Sequence, residues 1–305
     1  MITPRLLRRS FRRALQWRFL LLWIAIVAIP AIAALAPAWR FLEEHLGHSP
    51  RAPQLVAALD SHAAADLLKR FIEPAAAASF ATGAWTALLL ALLCAPFGAA
   101  AALALARADE PLQFRALLAG AAEHYGRMLR TLLVSLLPFG LAAAAAFGLS
   151  HAAAKAAERA ALESQAIRYG RAAALAGFLL LFVAQLTVDA GRAAFVAEPH
   201  RRSAWLAWWR GARLVLRRPG RALLAGASTV AAAALLTAIF LVLRARLHQT
   251  GAARVSLAFM LTELAVASVG WNRAARLVAL TELMRADTAE RARPAGLSAE
   301  DASGT

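Results

Sequence analysis

The chain has one cysteine, two tyrosines and, at Lys69 and Lys155, only two lysines among its 305 residues. Cys94 sits inside an apolar run, so it can close no internal disulfide and reads as helix filler rather than a reactive thiol. No Cys/His group has zinc spacing, and neither HxxxH nor HExxH occurs. A nucleophile elbow, a Walker loop and a kinase signature are also missing. No metal or cofactor is therefore expected, and the chain reads as a non-enzyme. Acidic residues are scarce, 18 against 34 basic ones, for a formal charge of +16. The arginines nevertheless fall in clusters between apolar runs with no RNA-binding motif, so nucleic acid is not an expected partner.

Apolar residues dominate instead. They make up 61% of the chain with a mean hydropathy of +0.57, where soluble domains usually have about 45 to 50%. A helix needs about 20 mainly apolar residues to cross ~30 Å of hydrocarbon, and six such stretches are present, near 19–39, 83–106, 131–150, 172–188, 222–243 and 255–271. The expected fold is all-α: a six-span transmembrane helix bundle over 19–285 with amphipathic interfacial helices. A basic segment, 1–18, precedes it, and the polar, Pro/Gly-punctuated residues 286–305 are expected to form a disordered tail.

Six spans put both termini on one side. That side carries 23 basic residues and the other 11, so the positive-inside rule predicts cytoplasmic termini. Arginine-for-lysine usage and abundant alanine suit a GC-rich bacterial genome, hence a bacterial inner membrane. The first span could instead be a signal peptide cut after Ala34-Leu35-Ala36, but its apolar core is long and Pro37 would follow the cut directly. Outside the membrane, loop 40–74 reads as a capping amphipathic helix whose charges nearly cancel; its His45, His48 and His62 lack metal spacing.

The odd-numbered spans open alike, with Arg18-Phe-Leu-Leu21, Arg130-Thr-Leu-Leu133 and Arg221-Ala-Leu-Leu224, each after a basic amphipathic stretch. Three repeats of interfacial helix plus hairpin would account for this. Such repeats matter because transporters place substrate sites at repeat interfaces.

Few polar residues enter the spans. Glu263 lies near the middle of the sixth, where an acid costs about 2.5 to 3.5 kcal/mol to insert. It is either a proton or cation relay or a buried carboxyl bonded to Thr262, Ser268 or a neighbouring helix. Asp189 closes the fourth span. Gln185 and Arg192 stand four residues before it and three after, on one helix face, so the acid is either a helix-end ion pair with Arg192 or the mouth of a polar cavity formed with Gln185. The 107–130 loop carries His124-Tyr125-Gly126-Arg127, which reads as a helix face rather than a site.

The loop from 192 to 221 holds eight arginines and three tryptophans. Wound as a helix over 203–218, it puts Trp205, Trp208, Trp209, Ala212, Val215 and Leu216 within an arc of about 120°. Arg210, Arg213 and Arg217 fall on an adjacent stripe. That is the pattern of a helix lying in the interface, rings at headgroup level and guanidiniums toward anionic phosphates. The lipid bilayer is thus the expected partner, with a second membrane protein or another copy of the chain also possible.

The runs Asp189-Ala-Gly-Arg-Ala193, Arg202-Ser-Ala-Trp-Leu-Ala207 and Ala212-Arg-Leu-Val-Leu-Arg-Arg-Pro219 resemble a pattern found in bacterial six-span integral membrane proteins of unknown function. More loosely, the layout is similar to the membrane domain attached to some glycerophosphodiester phosphodiesterases. The resemblance implies an inner-membrane location and supplies no catalytic residue. The activity expected on all these grounds is that of a scaffold or accessory subunit, with a small-solute or lipid transporter built around Glu263 as the alternative and a membrane enzyme third.

Overall fold

A computed structural model describes residues 4–47, 69–71, 73–108, 110–160, 162–198, 200, 203–247 and 251–292. Its elements are helices: α1 Pro4–Ala14, α2 Trp17–Leu46, α3 Pro74–Arg107, α4 Phe114–Glu158, α5 Glu163–Ala197, α6 Ala204–Arg217, α7 Pro219–Ala245 and α8 Ala252–Ala292. All but α1 and α6 are long and apolar enough to cross a membrane. The six spans expected from hydropathy are therefore present, and each helix overruns its span. At 45 residues, α4 is about 68 Å long at 1.5 Å per residue, more than twice the ~30 Å of hydrocarbon.

The overrun has a local cause in α4. Residues 114–130 are mostly good helix formers, and nothing at Arg130 interrupts them, so the expected interfacial stretch and the third span are one helix. The corresponding junction before α7 does break, because Pro219 occupies the first helical position and cannot continue α6. At the other end of the chain, 286–292 extend α8 instead of joining a disordered tail. Ion pairs explain the correction: Arg218 binds both Asp287 and Glu290, and Arg291 binds Asp287. Residues 293–305 lie outside the described residues, as does most of the expected 40–74 cap, with His48 and His62.

The single bundle expected over 19–285 is two compact units. One, Leu21–Gly98, is the first hairpin. Its helices close where small residues permit: a Cβ on Gly98 would stand 3.0 Å from the Trp23 ring, and one on Gly83 would overlap Pro37. Phe41, Phe71 and Phe80 cluster at its far end, with ring centroids 4.4 to 6.1 Å apart. The helix of α2 runs unbroken through 34–37, and Cys94 is half-buried with a free thiol.

The larger unit holds the remaining residues, and its core is displaced toward one end. Ala99–Ala106 of α3, Val188–Val196 of α5 and most of 274–284 in α8 are buried on all sides. Large apolar side chains along the rest of α4, α5, α7 and α8 face outward, among them Leu136, Phe147, Phe178, Leu235 and Phe259. Exposure of this kind is an aggregation surface in water and the normal state in lipid. Hydroxyls inside the spans return to their own helix, Thr229 to Gly226 O, Thr262 to Ala258 O and Ser268 to Leu264 O at 2.9 Å each, so hydrocarbon meets few unsatisfied donors.

Small residues set the crossings in this unit. A Cβ on Gly120 would come 2.7 Å from Ala104 Cβ, joining α4 to α3, and one on Gly191 would come 2.8 Å from Trp208 Cα, joining α5 to α6. A Cβ on Gly211 would overlap the Gly191 backbone outright. Trp271 of α8 takes the same role toward α1, meeting Phe11 edge-on at 5.0 Å and donating to its carbonyl at 3.2 Å. Each basic amphipathic segment thus packs on the buried end of an even-numbered span, α1 on α8, the start of α4 on α3 and α6 on α5. This parallels the three-repeat pattern of the sequence.

The α5–α6 crossing can be tested directly. Gly211→Val should destabilise the detergent-solubilised protein by about 3 kcal/mol or more, since backbone must move. Gly140→Ala, with open space around it, should be neutral or stabilising by up to about 1 kcal/mol. Equal melting temperatures for the two variants would refute the crossing.

Candidate functional site

The end of α5 is apolar all round except for one acid and one base. Asp189 is 3% exposed, and both carboxylate oxygens are occupied. Arg192 Nη1, on the next turn, donates to Oδ1 at 2.6 Å. Oδ2 accepts from Gln185 Nε2 at 2.7 Å and pairs with Arg276 Nη2 of α8 at 2.7 Å. Arg273, one turn earlier on α8, is close enough to act on the same carboxylate. The helix-end pair with Arg192 expected from spacing is present, and Gln185, expected only as part of a cavity mouth, bonds the same carboxylate. With so little exposure they close a lock rather than frame an open mouth.

Arg276 is the member that sequence reasoning missed. Intrahelical partners reveal themselves by spacing of three or four, whereas a partner on another helix leaves no such signal. In sequence Arg276 was one more positive charge beyond the last span. In space it fastens α8 to α5 in a medium of low dielectric, where the guanidiniums of Arg192 and Arg276, with Arg273 close by, outnumber one carboxylate.

A second polar knot lies nearby in the chain. Arg107, the last residue of α3, donates to His124 Nε2 of α4 at 2.6 Å and to Phe195 O of α5 at 2.7 Å. Receiving that bond puts the His124 proton on Nδ1, which faces Glu123 Oε1 at 3.5 Å. His124 is thus a buried connector of three helices rather than part of a plain helix face. Arg13 likewise reaches Ala108 O at 2.9 Å, just past the C-terminus of α3, and Glu282 at 3.8 Å. Guanidiniums are favoured at helix C-termini, where unpaired carbonyls concentrate negative charge.

No family model, curated protein or solved structure matches this chain.

Helix α6 spans Ala204–Arg217, as expected, with Ser203 Oγ accepting from Leu206 N at 3.4 Å at its start. Its apolar arc is divided. Ala212 and Val215 are buried, and Trp208 is half-buried, its Nε1 donating to Thr187 Oγ1 at 3.3 Å. Trp205, Trp209 and Leu216 stay exposed. The arginine stripe is divided as well: Arg210 pairs with Glu198 at 2.6 Å, Arg213 lies over the Trp209 ring at 5.4 Å, and Arg217 is exposed. The close approach at Gly191 and Gly211 causes the division, because it rotates the 208/212/215 edge into the bundle.

Glu263 is half-buried and makes no hydrogen bond or ion pair with any described residue. The hydroxyls considered as its partners, Thr262 and Ser268, are engaged with carbonyls. It stands 13 residues before Arg276 on α8, about 20 Å along the axis, too far to join the Asp189 lock. Among the described residues, no group of three or more His, Cys, Asp or Glu could hold a metal ion.

The charge balance of the lock ranks its mutants. Asp189→Asn leaves two buried guanidiniums facing each other and should cost about 3 to 5 kcal/mol. Arg192→Gln leaves the α5–α8 pair intact and should cost less. Urea titrations of the solubilised protein would check this, and an Asp189→Asn variant as stable as Arg192→Gln would contradict the assignment.

Proposed function

We propose that the protein is a non-enzymatic integral membrane scaffold or accessory subunit, with both termini on the cytoplasmic side of a bacterial inner membrane. The observation that carries this reading is the use of its charges. Arg13, Arg107, Arg192, Arg210, Arg218 and Arg276 each bind a carboxylate, a histidine or a helix carbonyl of the chain itself. A layer cross-braced in this way is suited to holding a fixed shape for a membrane protein partner or a second copy. Orientation rests on the loop arginines, since 23 of the 34 basic residues lie on the side of the termini. Exposed Trp205, Trp209, Arg213 and Arg217 would hold α6 at the level of anionic headgroups.

A second reading has one observation in its favour. Glu263 is an acid in an apolar span with no partner among the described residues, and intramembrane acids mark ion and solute paths. The two readings part in reconstituted vesicles. A scaffold leaves an imposed proton gradient undisturbed in both wild type and Glu263→Gln. Dissipation by wild type that Glu263→Gln abolishes would replace the scaffold with the transporter. For topology, a reporter active only outside the cytoplasm should be silent when fused after Thr305, and a signal there would reverse the orientation.

A further inference from the structure

We infer that the elbow between α1 and α2 is a binding site for one anionic phospholipid, its phosphate at Arg12 and one acyl chain in a slot between α7 and α8. The proposal requires that the chain be embedded in a membrane and is independent of the scaffold role. Two cavities meet the elbow. One, of about 380 Å³, is an almost wholly apolar slot lined by Phe11, Leu20, Leu236, Phe240, Leu264 and Trp271, with Arg12 and Leu15 at its border. Its only other polar group is Ser268, whose hydroxyl is already donated to Leu264 O at 2.9 Å. A slot with no free hydrogen-bonding group has nothing to offer a polar solute, and hydrocarbon fills it without loss.

The other cavity, of about 520 Å³, shares Arg12 and Leu15 and adds Arg13, Arg18, Gln16 and Trp17. Here the polar groups are partly fixed. Arg18 donates to Leu112 O and Leu112 N donates to Gln16 Oε1, both at 3.3 Å, which pins Leu112 against the elbow. Trp17 is 60% exposed, with the Arg18 guanidinium over its ring at 5.3 Å. The Arg12 side chain is exposed and makes no hydrogen bond or ion pair with any described residue. Among the described lining residues, the three arginines stand against one acid, Glu110.

Arg12 and Leu15 therefore join an apolar slot to a cationic pocket. The molecule that fits both is amphipathic, with an acyl chain on one side of a phosphate. The slot reaches along α8 from Trp271 to Leu264, about 10 Å of axial length, so only a chain running parallel to the spans fills it.

The test uses the full-length protein, delipidated in mild detergent, with binding counted by native mass spectrometry. Phosphatidylglycerol should occupy one tight site, and phosphatidylcholine with the same chains should bind more weakly. Arg12→Gln should weaken phosphatidylglycerol about fivefold, as expected for one interfacial cation. Leu264→Trp, which fills the slot, should weaken both lipids; if it does not fold, as judged by helicity, Leu236→Phe takes its place. Inorganic phosphate at millimolar concentration should displace neither lipid. Wild-type affinity in both Arg12→Gln and the slot variant would overturn the site. Both lipids carry a phosphate, so equal binding would remove the requirement for an anionic headgroup, and displacement by phosphate would make it an ion site instead.

Discussion

The larger unit is organised around one buried carboxylate that has to be neutralised. Asp189 lies in a stretch of α5 with almost no access to solvent, and an isolated carboxylate there would cost far more than the fold can absorb. Its neutralisation requires Arg192 on its own helix and Arg276 on α8. That requirement fixes the axial register of α8 against α5, and with it the heights of everything α8 carries. Trp271 is thereby set under α1, and Asp287 and Glu290 are set beside Arg218 at the α6–α7 junction. Buried pairs are poor sources of net stability, yet they discriminate strongly against misregistered packing, since a slip of one turn would strand several charges at once.

Close packing is the second constraint. In lipid the hydrophobic effect does not press one helix on another, so contact depends on how near the backbones can come. Gly191 against Gly211 and Gly120 against Ala104 supply that nearness. The first crossing also turns Trp208 toward Thr187 while leaving Trp205 and Trp209 outside. A helix that its pattern presents as wholly interfacial is therefore half a bundle helix. The same division explains why Arg210 is consumed by Glu198 while Arg217 remains exposed.

Function follows from which polar groups are consumed and which are left. Arg13, Arg107, Arg218 and Arg276 at the buried end serve as cross-braces between helices. Glu263 and Arg12, the latter at the mouth of an apolar slot, have side chains with no hydrogen bond or ion pair among the described residues. They occupy different regions of the chain, one in mid-span and one at the elbow, so they bear on separate chemistry.

Much was legible in the amino-acid order. Long apolar runs of about 20 residues dictate six membrane-length helices because a single segment satisfies its own backbone in hydrocarbon only as a helix. Spacing on a single helix dictates the Asp189, Arg192 and Gln185 contacts, and Ser203 and Pro219 mark the limits of α6. Helix ends were less legible, since polar residues beyond a span continue the helix whenever partners elsewhere hold them, as Arg218 holds Asp287 and Glu290. Only the tertiary structure assigned Arg276 to Asp189, Arg107 to His124 and Trp208 to the bundle, because contacts between helices carry no periodicity. The tertiary structure alone also separated the buried ends of α3, α5 and α8 from their outward-facing stretches. A side chain suited to lipid is equally suited to a protein core, so hydropathy is silent on which of the two surrounds it.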